Sequence, residues 1–453
     1  MTQNTTLNNT THKLCFRGGR MRSLFLKRSS GARAMCLAVL AVLAQTVSAQ
    51  PAEWVGAWAT SQSDAVNGFR VKDQTLREVV TVSKQGQALR VRLNNRFGQV
   101  PVTLDEVQIG VSEQGGGVVS GTSHRLLFNG HGAVTLAPGA SVMSDPVAMP
   151  VQAMQRLAIS LYTAGEIKSW SRHASASEYL LVASGNQSQA QGGQAFARVS
   201  GALASSWVLV DEVDVQPLTP TPTRVLVTFG DSITEGALGS ALPMVVQTVT
   251  FGQDQRYPDY LARRMVAANK PVAVVNAGIG GNRLLSAGVL PLFGPSGLSR
   301  LQRDVLGVSG VTDALILIGT NDLGMGYPPR AGDLIAGLSS AVTQLKRAGV
   351  RVIVGTITPT LGPAVNPFAM DSLSGLFFRF LHGRASVDVA RQQVNSWIRS
   401  SGVPDGVVDF DACVRNPSKP SSLRTEFDSG DHLHPNAKGY EAMAACVDLG
   451  LFN

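Results

Sequence analysis

A serine, an aspartate and a histidine have the types and the spacing that acyl transfer requires. Ser232 comes shortly after the apolar run Val225–Phe229, where the carboxyl end of a buried strand is expected. Asp431 stands three residues before His434. A serine hydroxyl is inert at neutral pH, so an imidazole must take its proton as the oxygen attacks a carbonyl. A carboxylate at this spacing can fix the imidazole tautomer that does so.

Two further polar motifs can supply donors to the oxyanion of a tetrahedral intermediate. One is Gly278-Ile-Gly280-Gly281-Asn282, in which a glycine lets a backbone N–H approach closely, and the other is Thr320-Asn321-Asp322, with a side-chain amide. Alone, each motif has a plainer interpretation: a helix-capping turn, a phosphate-binding turn, or, for the Asp/His motif, a surface loop or half of a metal site. Together, a serine, donors and an Asp/His pair predict acyl transfer.

The elements that would position these residues alternate between strand and helix after residue 223, which predicts a parallel sheet covered on both faces. The predicted strands are Val225–Phe229, Val272–Asn276, Ala314–Ile318, Val350–Gly355 and Val407–Phe410. The predicted helices are Asp259–Ala268, Leu298–Leu306, Asp333–Ala348, Asp388–Ser400 and Ala437–Asp448.

The chain before this region has a different period and predicts a separate all-β domain. Residues 50–216 alternate apolar and polar positions, as in Leu89–Leu93, and glycine-rich turns separate the runs. We expect a β-sandwich of jelly-roll type there, a Pro/Thr linker at 217–223 and a catalytic α/β domain at 224–453.

Residues 1–49 have the pattern of a cleaved signal peptide. Basic residues precede an apolar run, and Val47-Ser48-Ala49 offers small residues for cleavage. We therefore expect a secreted or periplasmic protein with no stable membrane insertion after cleavage. The net charge of +8 falls to +1 without the seven basic residues of this segment, which argues against a nucleic-acid partner. The remaining cysteines, Cys413 and Cys446, are expected to form one disulfide in an oxidising compartment, and no metal site is expected.

The four motifs, from Gly230-Asp231-Ser232 to Asp431–His434, resemble the SGNH, or GDSL-type, hydrolase superfamily over about Arg224–Phe452. The resemblance implies a flavodoxin-like five-stranded parallel sheet and ester hydrolysis without a cofactor. It implies that Ser232 is the nucleophile, His434 the general base and acid, and Asp431 its orienting carboxylate. It places the oxyanion hole at the N–H groups of Ser232 and Gly281 and the amide of Asn321. Asp231, Asn282 and Asp322 are the supporting residues of the same motifs.

Two apolar inserts leave the substrate open. One lies within 237–256 and the other, which is rich in phenylalanine, spans 363–383. They could line an acyl cleft, which favours lipid or aryl esters, or pack against the β domain. We expect an esterase that removes short-chain or acetyl groups, with acetylated polysaccharide as one substrate class. The alternatives are a lipase or lysophospholipase, and a carbohydrate-binding or adhesion protein with a vestigial hydrolase domain.

Overall fold

The structure is a computed structural model that describes residues 54–218, 222–239, 247–248, 252–326, 328, 330–361 and 381–453. The predicted signal peptide lies outside the described residues, as do residues 219–221 of the predicted linker and most of both apolar inserts. Residues 50–453 form one compact unit. Within the described ranges, no helix is both long and apolar enough to span a bilayer.

The first part of the chain forms two large antiparallel sheets and a two-stranded one, so the predicted β-rich region is confirmed. Its strands are β1 Val55–Ala59, β2 Asp64–Thr81, β3 Ala88–Asn94, β4 Val102–Leu104, β5 Glu106–Val111, β6 His124–Arg125, β7 Val134–Leu136, β8 Ser141–Met143, β9 Arg156–His173, β10 Leu181–Ser184, β11 Ala197–Arg198, β12 Trp207–Val208 and β13 Val210–Gln216. One large sheet has the order β1-β13-β3-β8, and the other has the order β11-β10-β2-β9-β5-β6, with β12 beside β9. In the two-stranded sheet, β4 pairs with β7. Buried side chains of both large sheets belong to one apolar cluster, as in a sandwich.

The second part alternates strands and helices as predicted. Its strands are β14 Arg224–Gly230, β15 Ala237–Leu238, β16 Gln247–Thr248, β17 Val272–Gly278, β18 Val311–Leu317, β19 Arg351–Gly355, β20 Gly406–Val408, β21 Arg415–Asn416 and β22 Lys419–Leu423. Its described helices are α1 Ser232–Glu235, α2 Tyr257–Ala267, α3 Gly297–Asp304, α4 Thr320–Gly324, α5 Ala331–Arg347, α6 Ala385–Ser400, α7 Phe410–Val414 and α8 Ala437–Ala445. Five parallel strands pair in the order β17-β14-β18-β19-β20, the flavodoxin-like order, which confirms the predicted fold class.

The parallel sheet is buried on both faces, and alternate residues of β14 show this. Val225, Val227 and Phe229 join a cluster that also contains apolar residues of α3, α5, α6 and the sandwich. Leu226 joins a second cluster with residues of α2 and α8. Strands buried on both faces read as continuous apolar runs, which explains why β14 is recognisable in the sequence.

Hydrogen bonds, as well as apolar contacts, join the sandwich to the part of the chain that contains the parallel sheet. Ser83 Oγ accepts the N–H of Val274 at 3.0 Å, so the sandwich covers part of the open edge of β17. Arg300 of α3 donates to Ser61 Oγ at 3.3 Å, and Ser309 Oγ donates to Asp214 at 2.7 Å. The amino-terminal part therefore packs directly on the part that carries the catalytic motifs.

Candidate active site

Ser232 is placed by the end of the central strand β14 and the start of α1. Asp231 caps this helix, because its side chain accepts the N–H of Ile233 at 3.0 Å. Gly230 has no room for a Cβ, which would lie 2.3 Å from the carbonyl oxygen of Leu317. Burial raises the pKa of Asp231 to about 7, against the opposing effects of the Ile233 N–H and the charges of His434 and Arg300.

The structure brings Ser232, His434 and Asp431 into one hydrogen-bonded chain. Ser232 Oγ lies 2.9 Å from His434 Nε2, and His434 Nδ1 lies 2.6 Å from Asp431 Oδ2. Asp431 Oδ1 also accepts the backbone N–H groups of Leu433 and His434, at 3.0 and 2.8 Å. The side chains of Ser232, His434 and Asp431 are all buried.

The charge state of Asp431 determines which atoms donate and which accept in these hydrogen bonds. Burial alone would raise the pKa of Asp431, but attraction to His434 and the accepted hydrogen bonds outweigh it and lower the pKa to about 2. The ionised carboxylate accepts the proton of His434 Nδ1, and in the imidazole tautomer that this bond selects, Nε2 is the acceptor. Ser232 Oγ–H therefore donates to Nε2, as a nucleophile and its base require.

The predicted oxyanion donors converge beside Ser232. Among the described residues, the backbone N–H groups of Ser232 and Gly281 have no protein acceptor. Gly281 has a φ of +69°, and a Cβ there would lie 2.5 Å from the ring of Phe293, so only glycine fits this turn. The amide of Asn321 lines the same cavity as Ser232, Gly281 and His434.

The supporting residues hold the loops that carry these donors. Asn282 Nδ2 donates to the carbonyl oxygens of Phe293 and Pro295, both at 2.7 Å. Asp322 accepts the N–H groups of Leu284 and Leu285 at 2.8 and 2.9 Å. The sequence could predict these supporting roles, because each supporting residue is adjacent in sequence to a predicted oxyanion donor.

Arg300 is a buried anchor that sequence reasoning missed. Its guanidinium donates to the carbonyl oxygens of Gly230 and Ala277, at 2.7 and 2.8 Å, and to Asn282 Oδ1 at 3.0 Å. Burial lowers its pKa to about 10, against the effect of Asp304, so the group stays charged. It ties the ends of β14 and β17 together beneath the site.

His382 is the second residue that the sequence did not indicate. Its Nε2 lies 3.1 Å from Asn321 Oδ1, while Asn321 Nδ2 donates to the carbonyl oxygen of Asn282 at 3.0 Å. Burial lowers the pKa of His382 to about 3, so the imidazole is neutral and its Nε2–H donates to the amide oxygen. This pair of bonds fixes which way the Asn321 amide points.

A cavity of about 330 Å³ opens beside Ser232. Its polar lining includes Ser175, which comes from the sandwich, and Glu235. Its apolar lining consists of Val289, Leu292, Phe293, Met325, Leu381 and Leu433. Leu381 belongs to the insert 363–383, so this residue lies in the cleft, whereas Gly252 and Asp254 of the other insert contact the sandwich.

The described residues contain no group of three or more His, Cys, Asp or Glu side chains arranged to hold a metal ion. The disulfide between Cys413 and Cys446 is present, which confirms its prediction.

The five-stranded parallel sheet, with Ser232, His434 and Asp431 hydrogen-bonded at its carboxyl edge, is the arrangement of the SGNH class of hydrolases. Residues 228–442 match the model of the GDSL-like Lipase/Acylhydrolase family, and this part of the chain belongs to that family. The resemblance predicted from the motifs is therefore confirmed.

About half of this chain is similar to several solved structures. The aryl esterase of M. smegmatis is 20% identical, with 49% of this chain and 95% of that chain covered and a TM-score of 0.38. A lipase/acylhydrolase from Enterococcus faecalis is 22% identical, with coverages of 49% and 93% and a TM-score of 0.34. Est24, a carbohydrate acetylesterase from Sinorhizobium meliloti, is 17% identical, with coverages of 49% and 95% and a TM-score of 0.38. No curated protein sequence matches the chain.

Proposed function

We propose that this protein is a serine esterase that hydrolyses carboxylic esters through an acyl-enzyme formed on Ser232. The observation that carries the proposal is the unbroken chain from Ser232 Oγ through His434 to Asp431. The family match to acylhydrolases supports the same reaction class.

The geometry accounts for each proton. As Ser232 Oγ attacks the ester carbonyl carbon, its proton passes to His434 Nε2, and Asp431 stabilises the imidazolium that forms. The carbonyl oxygen becomes an oxyanion that accepts hydrogen bonds from the N–H groups of Ser232 and Gly281 and from the Asn321 amide. Each such donor contributes about 3 kcal/mol to the transition state. Collapse expels the alcohol, which takes the proton from His434, and water then repeats the sequence on the acyl-enzyme.

A covalent probe tests the nucleophile directly. A fluorophosphonate should label the wild-type protein at Ser232 only, and Ser232→Ala should lose labelling and about 10⁴-fold or more in kcat with an unchanged fold. Peptide mapping by mass spectrometry locates the label, and circular dichroism checks the variant's fold. Labelling at another serine, or full activity in Ser232→Ala, would refute the assignment.

We propose short-chain or acetyl esters as the substrates, because the cavity that the described residues line has a volume of about 330 Å³, near the lower end for ligand sites. The apolar lining of this cavity, which includes Leu381, favours the longer acyl chains of a lipase as the second candidate. A chain-length series of nitrophenyl esters separates the two, run beside acetate release from acetylated xylan and pectin. A maximum in kcat/KM at acetyl or propionyl supports the first candidate, and one at octanoyl or longer supports the lipase.

We also propose that the protein is exported, on the signal-peptide pattern of residues 1–49. Amino-terminal sequencing of protein recovered from periplasm and medium should find a chain that begins at Gln50. An intact leader on protein in the cytoplasmic fraction would contradict export.

A further inference from the structure

A buried carboxyl group on the cavity wall has no role in the reaction described above. Glu235, the last residue of α1, is 3% exposed and lines the same cavity as Ser232 and His434. Its Oε1 accepts the N–H of Gly280 at 2.9 Å. Its Oε2 has no hydrogen-bond partner among the described residues. A buried oxygen without a partner destabilises the folded protein unless a ligand supplies a donor.

The backbone beside this oxygen is closely packed. A Cβ at Gly280 would lie 2.7 Å from Glu235 Oε2, so only glycine fits against the carboxyl group. Glu235, Gly280 and Gly281 line the cavity together with Ser232. Gly281 is also the residue to which we assign an oxyanion donor, so the Glu235 side chain stands at the wall of the cavity that would hold the substrate.

A histidine of the sandwich lies beside this buried carboxyl group. His173, at the end of β9, donates from Nδ1 to the carbonyl oxygen of Ser61 at 2.8 Å, and its Nε2 lies 3.4 Å from Glu235 Oε1. Burial lowers the pKa of His173 to about 4 and raises that of Glu235 to about 8. Both groups are neutral at pH 7, and the imidazole Nε2 is an acceptor that faces the proton on Oε1. Oε2 is left as a carbonyl-like acceptor.

We propose that Glu235 is a specificity-determining residue whose Oε2 accepts a hydrogen bond from a hydroxyl group of the substrate close to the scissile ester. Apart from Glu235, Ser175 and the residues of the four motifs, the described lining of the cavity is apolar, so this oxygen is one of few polar points and one that a hydroxyl group can satisfy. Sites built around a buried hydrogen-bonding group discriminate strongly against analogues that lack the partner. The inference rests on the proposed esterase function and narrows its substrates to hydroxylated esters.

Three acetates of equal ring size test the inference. Cyclohexyl acetate has no polar group beside the ester. The monoacetate of trans-1,2-cyclohexanediol has a hydroxyl donor there. The acetate of 2-hydroxycyclohexanone has a carbonyl oxygen there, which can only accept. The wild-type enzyme should prefer the hydroxyl ester over the plain ester by about 10-fold or more in kcat/KM. Nitrophenyl 3-hydroxybutyrate, compared with nitrophenyl butyrate, shows whether the hydroxyl belongs to the acyl or the alcohol part.

Glu235→Gln separates recognition from structure. Its amide oxygen can still accept the Gly280 N–H, while the NH₂ group replaces Oε2 and can only donate. The ratio of kcat/KM for the oxo ester to that for the hydroxyl ester should therefore rise by about 10-fold or more relative to wild type. Glu426→Gln, a change of the same type at an exposed side chain, should leave the ratio unchanged.

Equal turnover of the three acetates and of both butyrates by the wild type would overturn the inference, as would equal losses on all substrates in Glu235→Gln. Calorimetric binding of the same esters to Ser232→Ala ranks them without turnover. If the protein is not an esterase, none of the esters will be hydrolysed, but their order of binding affinity will be the same. The failure of the esterase proposal and the failure of this inference are therefore distinguishable. Equal affinity for all the esters would refute the role of Glu235 in either case.

Discussion

His432 and His434 stand two positions apart, and the structure gives them different partners. His434 joins Ser232 and Asp431, whereas His432 Nδ1 lies 2.6 Å from Asp428 Oδ2 in a partly exposed pair. His434→Ala should lower kcat by about 10⁴-fold or more, because among the described residues no other base is hydrogen-bonded to Ser232.

The matched control is His432→Asn, because His432 has a φ of +62° that asparagine tolerates better than alanine. This variant should stay within a few-fold of wild type in kcat, about what a surface change permits. Steady-state kinetics with nitrophenyl acetate, beside circular dichroism, checks both. Similar losses in two folded variants would leave the base unassigned.

His382 is expected to act through Asn321 as a positioning residue. His382→Ala removes the donor to Asn321 Oδ1 and frees the amide to rotate, which should lower kcat by about 10-fold or more with little change in KM. His382→Gln keeps an N–H donor and should recover part of the loss.

A double variant with Asn321→Ala separates positioning from packing. If His382 works only through the amide, its substitution should cost little once Asn321 is alanine. Additive losses in kcat, or a fall in melting temperature without a kinetic effect, would argue for a purely structural role.

At the residue scale, the sequence predicted the residues whose spacing or strand-end position carries the signal. Ser232 and the oxyanion donors follow strands, and Asp431 and His434 share one short motif. The sequence did not indicate His382, because its partner Asn321 is 61 positions away. It did not indicate Glu235 either, because its neighbour His173 lies in the other part of the chain. No local pattern marks such contacts.

The disulfide joins two helices on either side of the catalytic loop. Cys413 lies in α7, and Cys446 is the C-cap of α8, with a sequence separation of 33 that encloses Asp431 and His434. Replacing both cysteines by serine should lower the free energy of unfolding by about 3–4 kcal/mol in the chain-entropy model.

Urea unfolding of the double variant, compared with the oxidised and the reduced wild type, measures this loss. The reduced wild type should match the variant, because both lack the same bond. A variant as stable as the oxidised wild type would show that the loop is held by its other contacts alone.

Element boundaries show where local sequence is a poor guide. The strand predicted at Val407–Phe410 ends at Val408, because Asp409 accepts the N–H of Ala412 and starts α7. The apolar Phe410 continues the strand pattern, although it belongs to the helix. The sandwich strands β2 and β9 run for 18 residues each, and consecutive residues in the middle of both strands are exposed, so no apolar alternation marks them there.

At the scale of the whole molecule, Glu235 should make folding depend on pH. Its pKa is about 8 in the folded protein against an ordinary value of 4.5, with burial as the main cause. The folded state therefore binds the additional proton between these values, so this contribution to stability is full below pH 4.5 and is lost as the pH rises to about 8. Asp231, His173, Arg256 and Arg300 are the other charged or titratable groups around it.

Melting temperatures of wild type and Glu235→Gln from pH 5 to pH 9 test this dependence. The wild-type curve should fall more steeply, because glutamine does not titrate, while Asp231 contributes to both curves. Parallel curves would mean that Glu235 is ionised in the folded protein.

The cavity wall is assembled from both parts of the chain. Ser175 and His173, which lies beside Glu235, come from the sandwich, while Ser232, Gly281, Asn321 and His434 come from the second part of the chain. Chemistry and selectivity can consequently diverge at different rates, since substitutions around residues 173–175 reshape substrate choice without altering any reacting group. A laboratory library confined to that short stretch should yield variants with new substrate ranges and an undiminished response to the fluorophosphonate.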